Sequence, residues 1–231
     1  MLPNTVEPPI GTELTVVHED AQIIVVSKPS PLPVHPCGRY NLNTLVLLAR
    51  EAWPDITLKP VHRLDANTTG VLAFAKTTDA ARWIMTEFKE KRVEKEYLAR
   101  VHGTPEQDAF IIEAAIEAMP SKAGTRKVGS GGQSARTDVQ LSRVFDDGSS
   151  LLKVKPLTGR TNQIRLHLLS VGLPIVGDAA YGDRPDMSGG MTQTHTALGL
   201  HAHHLRFRHP LDGRWIEFRT EAPGWFHRPI G

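Results

Sequence analysis

Between Pro60 and the apolar run Val71-Leu72-Ala73-Phe74-Ala75 the chain reads His62-Arg63-Leu64-Asp65-Ala66-Asn67-Thr68-Thr69-Gly70. A cation, a carboxylate two residues later, then hydroxyls and a glycine feeding a strand concentrate polar chemistry beside a core element. In an extended chain Arg63 and Asp65 point the same way. An arginine and a carboxylate on one face bind an anionic partner together, or hold the carboxylate ionised as a nucleophile or base. The plain alternative for the same spacing is a surface ion pair of little energetic weight.

The elements around this stretch follow from periodicity. Met1 to Thr12, with its prolines, reads as an irregular arm. Leu14–His18 and Ile23–Val26 are β-rich runs forming a hairpin, and the proline-rich Lys28–Gly38 is an ordered loop, because proline cannot join a central ladder. Asn43 is the expected cap of a helix carrying Leu45, Leu48, Ala49 and Ala52 and ending at Pro54. After the strand Val71–Ala75, Thr77 or Thr78 caps a second helix with Ala81, Ile84, Met85 and Phe88 on its buried face. A strand Val93–Val101 then places Lys95, Tyr97 and Ala99 on its more buried side.

Phe110–Ala118 reads as a further strand. The stretch Pro120–Thr137 is poor in apolar residues and holds Lys122, Arg126, Lys127 and Arg136 around a Gly-Ser-Gly-Gly run. It lacks the Gly-Lys-Ser/Thr ending of a nucleotide-binding loop, which sets aside nucleotide hydrolysis. A basic hairpin gripping a phosphate backbone and a plain solvated loop are both compatible with it. Strands Asp138–Phe145 and Leu151–Lys155 are joined by the turn Asp146-Asp147-Gly148. Thr161 is the expected cap of a third helix with Ile164, Leu168 and Leu169 as its buried stripe. Arg165 lies in its first turns, where the helix dipole gives a cation nothing, so an anionic partner is the better reason for it. Gly172 closes this helix. Asp183–Thr196 reads as a flexible insertion, followed by strands near Leu198–Arg208 and Trp215–Phe218. His201, His203 and His204 are read as strand histidines, not zinc ligands: alternation sends His204 to the other face, and no cysteine or carboxylate lies nearby.

The ordered set of motifs resembles the RluA-type pseudouridine synthases. HRLDANTTG is similar to that family's catalytic signature, and Lys95-Glu96-Tyr97-Leu98-Ala99, then Thr158–Leu168 (TGRTNQIRLHL), then Gly172–Asp178 with Tyr181-Gly182 follow in the family's order. Lys28-Pro29-Ser30 and Val34-His35-Pro36 open the set, and Leu200-His201-Ala202 with Leu205–Pro210 closes it. The resemblance implies an α+β catalytic domain over residues 13–231, built on a mixed, mainly antiparallel, bent sheet with a central cleft, and no small RNA-binding module ahead of it. It implies isomerisation of a flipped-out uridine in rRNA or tRNA, without metal or cofactor. In that reading Asp65 is the catalytic carboxylate, Arg165 the arginine paired with it and Tyr97 the tyrosine stacking on the base. Arg63 fills the space the base leaves. His62, Arg63, Arg160, Lys122, Arg126 and Lys127 are the expected RNA-binding residues. Two positions depart from the family: Pro31 stands where glycine is usual, and Asn162 where histidine is frequent. The competing reading on the same scaffold is an RNA-binding or ribosome-assembly protein without turnover, which predicts a damaged set, whereas Asp65, Tyr97 and Arg165 are all present. A glycosidase would need two opposed carboxylates, and the motifs offer one.

Composition limits the remaining classes. The formal net charge of +2 is too small to argue for nucleic-acid binding by itself, so local clustering must carry that argument. No apolar run approaches the ~20 residues of a membrane span, and the first residues lack the pattern of an export signal. The single Cys37 excludes an internal disulfide and fits a reducing compartment. A cytoplasmic monomer acting on an rRNA or tRNA stem-loop, with no membrane partner, is the resulting expectation.

Overall fold

The apolar run at Ile23 and the run after Gly70 lie side by side as neighbouring strands. The computed structural model describes residues 6–12, 14–38, 40–118, 125–182 and 197–228. In chain order its elements are β1 (Thr15–Glu19), β2 (Ile23–Lys28), α1 (Leu45–Ala52), β3 (Lys59–Pro60), β4 (Thr69–Ala75), α2 (Thr78–Lys89), β5 (Glu94–His102), β6 (Ala109–Glu113), β7 (Arg136–Val144), β8 (Ser149–Pro156), α3 (Gln163–Ser170), β9 (Leu200–Arg208) and β10 (Trp215–Arg219), with a 3-10 turn at Gly224–His227. The fold is α+β, and every strand pair with a recorded register is antiparallel. The chain divides into two units, Met1–Lys95 with Ala202–Glu221, and Glu96–His201 with Ala222–Gly231.

In the first unit β1, β2, β4 and β9 are successive neighbours, β10 pairs with β9 and β3 with β4. Ile23, Ile24, Val25, Val26, Leu72, Ala73, Phe74 and Ala75 are fully buried, which is why β2 and β4 read as continuous apolar runs without alternation. Each large side chain so buried contributes about 1.5–3 kcal/mol. Helix α2 packs on β3 and β4. Its cap is Thr77, whose hydroxyl accepts from the Ala80 amide. Its buried face is Ala80, Ala81, Ile84 and Glu87, while Met85 is exposed, a correction to the expected face. Glu87 takes the inner place because Arg92 pairs with one of its oxygens at 2.7 Å.

Helix α1 is capped at Thr44, without a side-chain bond, and so not at Asn43. The arm explains the difference. Glu7 accepts the amides of Asn41, Leu42 and Asn43 at 2.8–3.0 Å, and the Asn43 side chain donates back to the Pro8 carbonyl.

In the second unit β5, β8, β7 and β6 are successive neighbours. Ala99, Val101, Leu152, Val154, Ile164 and Leu168 form its core, with Tyr97 packed against it. The stretch Leu98–Val101 of β5 is buried on both faces, and Arg100 is the largest fully buried side chain. That burial is affordable because Arg100 donates to Ser149 Oγ (2.8 Å), the Phe226 carbonyl (2.9 Å) and Asp147 (3.0 Å), and lies 3.3 Å over the Phe145 ring.

The strand expected to reach Ala118 stops at Glu113. Ile116 then forms isolated bridges to both Val128 and Gln133, so the described part of the basic stretch folds back along it. Gly132 permits this approach, since a Cβ there would lie 2.4 Å from the Ile116 carbonyl carbon. The expected insertion at Asp183–Thr196 lies outside the described residues, as does Lys122.

Candidate functional site

In the first unit the loop bearing Asp65 is tied down from three sides. The Thr68 amide donates to the Asp65 carbonyl at 3.1 Å, and the Leu32 amide to the Ala66 carbonyl at 2.8 Å. Beneath it the buried ammonium of Lys28 donates to the carbonyls of Pro29 (2.9 Å), Leu32 (2.8 Å) and Ala66 (3.1 Å). Lys28 therefore staples the proline-rich loop to the Asp65 loop. Burial pushes its pKa down to about 7, with the charge of Asp65 acting in the opposite direction. The Ser30–Pro31 peptide is cis, and the Pro31 carbonyl accepts the Gly11 amide.

Arg63 and Asp65 flank the buried Leu64; Arg63 is exposed and Asp65 half-buried. His62 has a packing task of its own. Its Nε2 accepts the Ala73 amide at 3.1 Å and its ring stacks on Phe88 at 5.0 Å. Burial, with Lys95 adding to it, pushes the imidazole down to about 3. The ring is thus neutral and carries its proton on Nδ1. Lys95 is lowered to about 8 by burial. Gly70, at φ +114°, ends the loop where β4 meets β9; a Cβ would lie 2.2 Å from the Ala202 carbonyl oxygen.

In the second unit the organising group is Arg165. Its Nε donates to Asp178 Oδ2 at 2.7 Å and its Nη2 to Asp178 Oδ1 at 2.6 Å, a two-point pairing. Asp178 Oδ1 also accepts the amides of Ala180 and Tyr181, both at 3.1 Å, so the carboxylate is itself fixed by backbone. Arg165 Nη1 donates to Asn162 Oδ1 at 3.3 Å, and the guanidinium lies 4.7 Å from the centre of the Tyr181 ring. The Tyr181 hydroxyl accepts from Asn162 Nδ2 and from the Arg126 amide, both at 2.9 Å.

Asn162 takes the left-handed conformation at φ 57° and is the residue before α3, so Thr161 is not the cap. Asparagine is among the few side chains that adopt this backbone readily, and here its amide bridges Arg165 and Tyr181. Helix α3 buries Gln163, Ile164, Leu166, His167 and Leu168, whereas the expected Leu169 is exposed.

The polar members of that face are satisfied in a chain. Gln163 Nε2 donates to Thr137 Oγ1 (3.0 Å), Thr137 Oγ1 lies 2.8 Å from His167 Nδ1, and His167 Nε2 lies 2.9 Å from the Ala114 carbonyl. The carbonyl can only accept, so Nε2 carries the proton and Nδ1 accepts from Thr137. Burial lowers the His167 pKa, in keeping with this neutral tautomer.

Of the expected RNA-binding residues, Arg126 and Arg160 line one cleft of about 250 Å³ with Glu117, Gln133 and Thr161. Lys127 is exposed nearby in sequence. His203 and His204 are engaged with the Thr220 carbonyl and with Glu217. Lys28, Asp178, Tyr181 and the Gln163–Thr137–His167 chain had no role assigned from sequence. The sequence signal was present in the Lys28-Pro29 and Gly177-Asp178 … Tyr181-Gly182 motifs, but spacing cannot tell which arginine an aspartate meets.

Comparison with known proteins gives a consistent picture. A family model described as RNA pseudouridylate synthase matches residues 22–170. The human pseudouridylate synthase RPUSD2 is 38% identical over 184 residues, 78% of this chain but 34% of that protein, so the chain spans about a third of its length. The dual-specificity RNA pseudouridine synthase RluA of Yersinia pestis is 36% identical over 210 residues, covering 90% of this chain and 99% of that one. The solved structure of human RNA pseudouridylate synthase domain containing 1 superposes with a TM-score of 0.75 at 32% identity, covering 94% of this chain and 87% of that one.

Proposed function

The chain belongs to the RNA pseudouridylate synthase family, and from this we propose that it isomerises uridine to pseudouridine in RNA. The N1–C1′ glycosidic bond breaks, the uracil turns within the site, C5 bonds to C1′, the C5 proton is released and N1 takes up a proton, so the product is an isomer of the substrate. Atoms balance without oxidant, reductant or metal. The catalytic set of this proposal is Asp65 as the essential carboxylate, Arg165 as its cationic partner and Tyr97 as the ring that stacks on the base. Arg63, His62, Arg160, Arg126 and Lys127 bind the RNA, with Lys122 as a further contact from outside the described residues.

The observation that best supports this reading is the two-point hold of Asp178 on Arg165, the latter within the stretch that the family match covers. A guanidinium locked in plane by a buried, backbone-bonded carboxylate is costly to build for structure alone and is suited to orienting a reacting group. The exposure of Arg63 next to the half-buried Asp65 agrees with a residue available to a displaced base stack. We further propose that the substrate is rRNA or tRNA presented as a stem-loop, and that the protein acts as a monomer in the cytoplasm.

Asp65→Asn removes the ionisable group and almost no volume. Tritium release from RNA labelled at uridine C5 is expected to vanish while RNA binding persists. Residual turnover within about tenfold of wild type, roughly 1.4 kcal/mol in barrier, rules Asp65 out as the essential group. Wild-type protein that binds RNA and releases no tritium from any rRNA or tRNA would identify a binding protein without turnover.

A further inference from the structure

We propose that the cleft walled by Arg126 and Arg160 is a subsite for a single backbone phosphodiester of the RNA substrate. This rests on the pseudouridine synthase reading and adds to it a place and a charge.

Three arginines of the second unit are held by carboxylates. Arg100 is paired with Asp147, Arg136 with Glu113 and Asp138, and Arg165 with Asp178. Arg126 and Arg160 are held instead by neutral oxygens. Arg126 Nη1 donates to the carbonyls of Glu117 (2.9 Å) and Ala118, and Arg160 Nε donates to the Ser134 carbonyl at 3.2 Å. Carbonyls orient a guanidinium without cancelling its charge. Both groups therefore keep a full positive charge and remaining N–H donors, on walls of one cleft of about 250 Å³ that Thr161 and Gln133 complete with uncharged polar groups. Planar guanidinium forks match phosphate oxygens.

Glu117 also lines the cleft and sets the ligand's charge. Its carboxylate is turned toward Gly129, where a Cβ would come within 3.0 Å of Oε1, and among the described residues it makes no ion pair with either arginine. Two guanidiniums against one carboxylate leave the wall a net charge of +1, which the single charge of a diester offsets. The cleft is thus matched to a phosphate within a chain. It is also connected to Arg165: the Arg126 amide, the Tyr181 hydroxyl, the Asn162 side chain and Arg165 Nη1 are joined by successive hydrogen bonds. A backbone phosphate seated here would anchor the substrate to the element that carries Arg165.

The test measures RNA binding against salt by fluorescence anisotropy, together with tritium release, for wild type, the double variant Arg126→Gln/Arg160→Gln and the double variant Arg126→Lys/Arg160→Lys. The glutamine pair is expected to flatten the salt dependence by about 0.7–0.9 units of slope, the value for one lost phosphate contact. Its KM should rise at least tenfold at 150 mM salt, more than kcat falls, and the lysine pair should keep most of the slope. An unchanged slope and KM in the glutamine pair, with wild type converting uridine normally, overturns the subsite and leaves the reaction standing. If wild type converts no uridine, the functional reading itself falls. A lysine pair whose salt slope is flattened as much as that of the glutamine pair shows that the cleft does not act through its charge, which also overturns the proposal. Inorganic phosphate at matched ionic strength should not displace the RNA; displacement that disappears in the glutamine pair would reassign the cleft to free anions.

Discussion

Asp178 gives both carboxylate oxygens to Arg165 and receives two backbone amides, so the guanidinium is fixed in direction before substrate arrives. Asp178→Asn keeps the size and the amide contacts on one oxygen but removes the charge and one acceptor from a buried ion pair. Breaking a hydrogen-bonded charge pair from one side costs on the order of 3 kcal/mol, much of it from the cation left behind. For the variant that still folds, kcat is expected to fall at least tenfold with KM nearly unchanged, because Arg165 keeps its charge and loses its aim. Arg165→Met should likewise lower the rate more than RNA affinity. An altered salt slope of binding with an intact rate would instead make Arg165 a phosphate contact, since each such contact is worth close to one unit of slope.

At the level of elements, the loop of Asp65 owes its shape to the groups around it: Lys28 below it, His62 at its start and Gly70 at its end. His62 also makes the loop's stability depend on pH. Its folded pKa, about 3, lies below its ordinary value of 6.5, so between these the unfolded chain binds a proton that the folded one refuses. Stability from this group is complete above about pH 6.5 and is lost as pH falls toward 3. His167, also lowered by burial, adds to the same limb. Lys28 acts at the other end. With a folded pKa near 7 against 10.5 unfolded, its burial penalty is greatest below pH 7 and is relieved as pH rises to about 10. In thermal melts from pH 7 to pH 4, His62→Gln, which can still accept the Ala73 amide, is expected to show a shallower fall in Tm than wild type. Parallel curves would mean that the imidazole is already charged in the fold.

At the level of the whole molecule, a formal charge of +2 over 231 residues gives little long-range attraction for a large folded RNA. The basic residues placed near one another cover a short backbone track, and sequence-specific RNA readers favour unpaired loop bases that can be splayed out. An isolated stem-loop of about twenty nucleotides presenting its uridine in the loop is therefore expected to be modified nearly as well as the parent RNA. Comparing kcat/KM for the stem-loop, the full-length RNA and the same sequence locked in a duplex checks this. Reaction confined to the full-length RNA or to an assembled particle would locate recognition in distant contacts and refute the compact substrate.

What the amino-acid sequence determined by itself was local or contiguous. The apolar runs of β2 and β4, the Thr77 cap, the turn before Gly148 and the glycine stop after α3 follow from propensity and periodicity within a few residues. The family motifs were legible because each is an unbroken string. Only the tertiary structure decided which charges meet. Arg165 and Asp178 are thirteen residues apart and Thr137 and His167 thirty, and such pairings depend on how strands and helices pack. The same cause explains the faces misread on α2 and α3. Glu87, Gln163 and His167 look like surface residues until Arg92, Thr137 and the Ala114 carbonyl are brought to them. Burial of a polar side chain is decided by its partners, and for Gln163 and His167 those partners lie elsewhere in the chain.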